Sequence, residues 1–329
     1  MIISSVEIIS ISKVLNTALI NSKNTYTQLD GFYILFVSDD GFTGKGEVST
    51  LKGFSTETNQ EISWVFESFK LGFPVNEELE IEDFINYIAM SSQESNSLKF
   101  ALETAIYDVY CQKNNISIAR YFNQQSLNYV NLSTVSINDY KRTINFDVVK
   151  LKIGVNDLDA DLAIMHKINL KKKMIYRLDA NQSLNLKDLI SIEKKLEGFD
   201  VQYIEEPLKY LDESKLLQIK SKTSFKIAID DSMYQSEKYK EWVELGLIDF
   251  IVIKPSIFGG YLDFFNFVNY ISQYNVQIVL SSSLETHIGH MATVQLASCI
   301  NHLGPHGLDY YSFYNNASKH IYNRNESMI

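Results

Sequence analysis

Cysteine and proline are nearly missing from this chain of 329 residues, which has 2 Cys and 4 Pro, and glycine is sparse at 14. Cys111 and Cys299 lie far apart in apolar, helix-like segments. Such an isolated pair builds no disulfide framework and reads as two reduced core residues, so the expected setting is a reducing cytoplasm. With little Gly or Pro to mark turns, hydrophobic periodicity has to locate the elements. Cations are in deficit too: 30 Lys and Arg against 40 Asp and Glu leave a net charge of −10. That excess argues against a nucleic acid or an anionic membrane surface as partner, since both select clustered cations. The amino terminus, Met1 to Glu7, alternates like a strand and has neither the basic region nor the small-residue cleavage site of an export signal. The uncharged stretch 264–284 contains Asn266, Asn269, Gln273, Asn275 and Gln277, amides too costly for a lipid-facing span.

What is present is an ordinary globular composition, 45% hydrophobic and 21% charged, in a chain long enough for one large domain and a smaller one. Residues 1–115 read as an α+β domain. Strand-like runs over 6–12 and 32–38 lead into Gly41 to Glu47 as a meander. Helical periods follow over 61–69 and 81–90, and from Ser97 the residues Leu98, Ala101, Leu102, Ala105, Ile106 and Val109 share one face. From about residue 128 the pattern changes. Short β-branched runs, each followed by a polar-faced helical stretch, recur over 130–135, 148–153, 175–179, 201–205, 225–230, 250–254 and 277–282. Six successive runs close on Lys152, Asp179, Glu205, Asp230, Lys254 and Ser281, at intervals of 24 to 27 residues. Each interval accommodates one strand and one helix. Seven such units, with an irregular strand near Gly307 to Tyr311, predict a parallel α/β barrel, although rhythm alone also fits a doubly wound open sheet.

In a βα barrel the active site lies at the carboxyl ends of the strands. Here the second run ends Lys150-Leu151-Lys152, and strand alternation puts both lysines on one face. The next three runs end on Asp179, Glu205 and Asp230, and the sixth ends Lys254-Pro255. Buried carboxylates need a counter-cation. Three of them suit octahedral Mg²⁺, with Mn²⁺ as a possible substitute, better than Zn²⁺, which prefers His and Cys. Salt bridges between these acids and the lysines are the bland alternative. Acids in the middle with an amine on each side form a site for taking a proton from the carbon beside a carboxylate, so the expected partner is a small-molecule carboxylate.

These residues, in this order, resemble the enolase superfamily, and within it the lysine-lysine group that includes the o-succinylbenzoate synthases. The segments Arg177 to Gln182, Ile204-Glu205-Glu206-Pro207, Val252 to Pro255 and Ser281 to Glu285 are similar to that family's signatures, and Gly46 to Thr58 is similar to its capping loop. The resemblance implies an α+β capping domain over 1–115, a modified (β/α)7β barrel over 116–305, and a segment 306–329 that completes the barrel and packs back on the cap. It implies Asp179, Glu205 and Asp230 as Mg²⁺ ligands, Lys152 as base, and Lys254 and Lys150 as its catalytic companions. Ser281, Ser283, Gly307 and Asn181 would line the substrate pocket, closed by Leu51, Phe54 and Ser55. The implied reaction is dehydration of 2-succinyl-6-hydroxy-2,4-cyclohexadiene-1-carboxylate to o-succinylbenzoate in menaquinone biosynthesis. Alternatives are a racemase or dipeptide epimerase using the same residues, and a barrel that binds metal and carboxylate without turnover. Two departures stand out: Asp231 occupies a position where the family usually has Glu, and Gly307-Leu308-Asp309-Tyr310 lacks the Asp-x-Asp pair with which dipeptide epimerases meet an amine.

Overall fold

The computed structural model describes residues 1–20, 25–50, 55, 57–93, 95–135, 143–154, 157–300, 304–309, 322–323 and 326–328. Strands β1 (Ile3–Ile20), β2 (Thr25–Ser38) and β3 (Thr43–Ser49) form the expected antiparallel meander. Its second turn is closed by Ser38 N donating to Phe42 O at 2.9 Å, with Gly41 at φ 90°, a backbone state that glycine adopts without steric cost. Alternation on β2 buries Phe32, Ile34 and Phe36, and helices α1 (Asn59–Gly72), α2 (Ile81–Ser91) and α3 (Asn96–Asn114) complete this layer. A reciprocal capping box between Thr58 and Glu61 starts α1.

Helix α3 lies almost against β3. A Cβ added to Gly44 or Gly46 would come within 2.0 Å of Ala105 O or 1.8 Å of Ala101 O, so only glycine permits the approach. The expected apolar face of α3 is buried, but so are Ser97, Glu103, Thr104 and Tyr107. The second buried face is explained by the barrel helix α4 (Tyr261–Ile271) on the other side, where Phe100 stacks on Tyr261 at 5.5 Å.

The parallel sheet runs in sequence order through β5 (Thr134–Val135), β6 (Val148–Lys152), β7 (Ile175–Asp179), β8 (Asp200–Glu205), β9 (Ile227–Ile229), β10 (Phe250–Ile253) and β11 (Gln277–Leu280). A doubly wound sheet would reverse its order part-way; this one does not. Residues 306–307 close the ring: His306 N donates to Asn131 O at 2.8 Å, and Gly307 N to Leu280 O at 2.7 Å. Outward residues such as Leu151, Leu178, Ile204 and Ile251 pack beneath the helices. Inside, Tyr203, Ala228, Phe250, Val252 and Val279 form a separate apolar plug, with the Arg177 guanidinium 5.3 Å from the Tyr203 ring.

One feature differs from the sequence reading. The run 130–135 is split: β4 (Tyr129–Asn131) pairs antiparallel with β13 (Glu326–Met328), itself paired with β12 (Tyr322–Asn323), while Leu132 bridges to His306 at the closure of the ring and Thr134–Val135 pair with β6. The described carboxyl-terminal strands thus add to the open ladder edge that β4 offers.

Two buried carboxylates from the first layer cap barrel helices. Glu47 of β3 accepts from Thr286 N and Oγ1, both at 2.6 Å, and from Gly289 N at 2.9 Å, at the start of α5 (His287–Cys299). Glu103 of α3 accepts from Tyr261 N at 2.6 Å. Burial pushes both up to about 7 despite these bonds. Among the described residues no helix is long and apolar enough to cross a membrane.

Candidate active site

On β6, Leu151 is buried in the outer core while Lys150 and Lys152 face the other way, as alternation requires. The ladder sets Lys152 beside Asp179, and Asp179 beside Glu205. Lys150 Nζ reaches 2.7 Å from Glu205 Oε1 and 2.9 Å from Asp179 Oδ2. Across the mouth, Lys254 Nζ, at the end of β10, donates to both carboxylate oxygens of Asp230. The structure thus gathers five of the expected site residues into two ion-paired groups: Lys150 with Asp179 and Glu205, and Lys254 with Asp230. Lys152 stands level with Asp179 on the neighbouring strand.

The electrostatics follow from burial with an excess of negative charge. Burial lowers the Lys150 pKa, but Asp179, Glu205 and Asp230 outweigh it and raise the pKa well above the usual lysine value. Lys254 is raised in the same way: burial lowers it, and Asp230 and Asp231 overcome that. The shorter Asp231 therefore still acts on Lys254 through its field. Glu205 is pushed up by burial against the pull of Lys150, with Asp179 and Asp230 adding to the rise. Lys150 remains charged, and the burden of crowding falls on the acid. Among the described residues no three acid, histidine or cysteine side chains stand as a ready-made metal cage; the lysines hold the acids instead.

Asn181 turns back on the site. Its backbone N and Nδ2 donate to Asp179 Oδ1 at 3.1 and 2.8 Å, with φ at 45°. It orients a carboxylate. Ser281 and Gly307 are paired on the closing bridge, where a Cβ on Gly307 would meet Ser281 Oγ at 3.4 Å. Ser283 is buried, its Oγ has no hydrogen-bond partner among the described residues, and its N donates to Glu285 Oε2 at 3.0 Å. Ser55 is half-buried, whereas Leu51 and Phe54 lie outside the described residues.

Two buried acids were not singled out by sequence. Glu285 accepts from Ser256 Oγ at 2.6 Å and from Ser282 Oγ and Ser283 N, joining the loops after β10 and β11. Glu206 accepts from the loops after β7 and β9. For Glu206 the available signal was its place directly after the strand-end acid Glu205, where alternation turns it away from the barrel interior.

Residues 136–327 match the family model described as Enolase C-terminal domain-like. The chain belongs to the enolase superfamily. Its parallel barrel and antiparallel cap sheet are the architecture of that superfamily. The chain is similar to the o-succinylbenzoate synthase of Bacillus subtilis (strain 168), 26% identical over 84% of this chain and 77% of the relative. It is also similar to an L-amino acid-D/L-Glu epimerase of Francisella philomiragia, 20% identical over 86% of this chain and 83% of the relative. Among solved structures, the dipeptide epimerase of Enterococcus faecalis V583 complexed with Mg and the dipeptide L-Leu-L-Tyr superposes with a TM-score of 0.84 at 22% identity, covering 97% of this chain and 93% of that one.

Proposed function

We propose that this superfamily member is an o-succinylbenzoate synthase, removing water from 2-succinyl-6-hydroxy-2,4-cyclohexadiene-1-carboxylate. The similarities alone do not choose between synthase and epimerase. The observation that carries the reading is Asp309, the one acid of the described segment 304–309: it is buried, and its carboxylate accepts from Thr134 Oγ1. A carboxylate tied down in this way, with no second acid two residues away, is a poor receptor for a dipeptide ammonium.

Asp179, Glu205 and Asp230 would hold Mg²⁺. The donor set fits, since three carboxylates at adjacent strand ends suit a hard cation. Glu205 Oε2 is moreover a buried acceptor with no hydrogen-bond partner among the described residues, a costly state unless a cation meets it. When bound, the ion supplies positive charge that holds the substrate carboxylate and offsets charge building on it as the adjacent carbon loses its proton. Lys152 takes that proton and gives it to the hydroxyl departing from the same face. A C–H and a C–O bond break, a C=C bond forms, and water leaves an aromatic ring. Lys254, from the far side, presents a fixed cation to the ring and its transient negative charge. Lys150 moves no proton: held by Glu205 and Asp179, it keeps those acids from repelling one another.

The second reading is epimerisation, with Lys254 returning a proton on the face opposite Lys152; the likeness to the Enterococcus epimerase favours it. The test follows the ultraviolet absorbance of the cyclohexadiene carboxylate with Mg²⁺ for wild type, Lys152→Ala and an EDTA-treated sample. Rapid metal-dependent decay, absent in the variant, is expected. Decay no faster than the spontaneous rate removes the synthase. Deuterium uptake into dipeptides or N-succinylamino acids would then mark an epimerase or racemase, and tight carboxylate binding without turnover a non-catalytic barrel.

A further inference from the structure

We propose that Glu206 is a positioning residue that locks the ends of β7, β8 and β9 together and so aims Asp230 into the barrel mouth; this rests on the reading of Asp230 as a metal ligand. Glu206 follows Glu205 directly, but its φ of 43° places it in the left-handed region, where a residue other than glycine is uncommon and needs support from its surroundings. The support is visible. One carboxylate oxygen, Oε1, accepts from the backbone N of Asp230 and of Ser232, each at 2.8 Å. The other, Oε2, accepts from Ser232 Oγ at 2.7 Å and Gln182 Nε2 at 3.2 Å. Its own carbonyl accepts from Gln182 N at 2.7 Å, and its N donates to Ala228 O at 3.0 Å.

One buried side chain therefore serves three consecutive strand ends. Glu205 and Glu206 divide the work: the first points into the barrel beside Lys150, and the second turns sideways to grip the neighbouring turn. Asp230 needs that grip because it leaves β9 at φ −127° and ψ −84°, outside both helix and strand geometry, so its neighbours' bonds have to fix its direction. Gln182, anchored to the same carboxylate, lies next to Asn181, which in turn holds Asp179. Glu206 thus governs the spacing of the carboxylates on either side of Glu205 without touching substrate. Groups behind a metal ligand typically change metal affinity by about 10- to 100-fold when removed.

The experiment compares Glu206→Gln, Glu206→Asp and Glu206→Ala in the full chain by Mg²⁺ calorimetry, steady-state kinetics, and hydrogen exchange of the peptide spanning 228–234. A glutamine oxygen still accepts from both backbone N–H groups, so E206Q should keep Mg²⁺ affinity within about threefold. E206A should bind Mg²⁺ at least tenfold more weakly, lose kcat more than KM, and exchange the amides of Asp230 and Ser232 faster. E206D, one methylene short, tests the same point if the alanine variant does not fold, and should weaken Mg²⁺ binding by more than threefold. Mg²⁺ affinity in E206A or E206D equal to wild type would overturn the proposal, as would E206Q being as impaired as E206A. If wild type binds Mg²⁺ but does not dehydrate the substrate, the synthase reading falls while the positioning role stands or falls on these affinities. A wild type that binds no Mg²⁺ overturns both.

Discussion

At the residue scale, the ion pairs at the barrel mouth define a competition. Both oxygens of Asp230 accept from Lys254, and a cation at Asp230 has to share that carboxylate with a buried ammonium, a like charge at short range. Lys254→Ala should therefore tighten Mg²⁺ binding by several-fold while lowering the dehydration rate by about 100-fold or more. Calorimetry and kinetics on one preparation check both. Weaker Mg²⁺ binding in the variant would show that Lys254 supports the metal site rather than opposing it. The lysines and acids were legible as strand-end residues because period-two alternation and the barrel rule need no coordinates. Their pairing was not legible: that Lys150 bridges Asp179 and Glu205 depends on lateral strand register, which a single strand's sequence does not encode.

At the scale of elements, the tightest constraint on the cap is the contact of β3 with α3. Gly46→Ala would drive a methyl group to 1.8 Å from Ala101 O, a backbone atom that no rotamer change can move. The strand or helix must shift, and the expected loss is about 3 kcal/mol or more, since overpacking of this kind typically costs 1–3 kcal/mol where side chains can give way. Urea unfolding measures it, and a midpoint unchanged from wild type would mean that the layer is looser than the contact implies. The sequence showed Gly44 and Gly46 as part of a meander but not the helix against them. It showed α3 as amphipathic, whereas α3 is buried on a second face because it lies between the cap sheet and the barrel. Likewise the run 130–135 reads as one strand by periodicity. Its division between β4 and the ring depends on a partner almost two hundred residues away in sequence, near residue 327.

At the scale of the molecule, the cap is joined to the barrel through Glu47 and Glu103, each capping the start of a barrel helix. Burial raises Glu47 from 4.5 to about 7. A raised carboxyl favours the protonated form when folded, so its contribution to stability is present below about pH 4.5 and is lost as pH rises through about 7. The shift corresponds to a few kcal/mol. Around it, Glu285 adds to the rise, and Lys13 and Tyr33 lie within its field. Buried His290 and His306, each pushed down to about 3, act in the opposite sense: their contribution is present above about 6.5 and is lost as pH falls through about 3. Comparing Glu47→Gln with wild type isolates the carboxyl. The Tm of the variant relative to wild type should rise between pH 5 and pH 8. A difference that stays flat over that range would mean that Glu47 remains ionised throughout.

The sequence by itself determined the order of layers, the succession of βα units and the polar residues that end their strands, because these follow from local periodicity and from the βα interval. Only the tertiary structure decided that the strands close into a ring rather than an open sheet, which lysine holds which acid, that Glu206 braces three strand ends, that Asp309 is occupied by Thr134, and that two cap glutamates cap the starts of barrel helices. Each of those depends on distances between residues remote in the chain. Such distances arise from the closure of the ring and the seating of the cap upon it, and periodicity along one strand or helix carries no record of either.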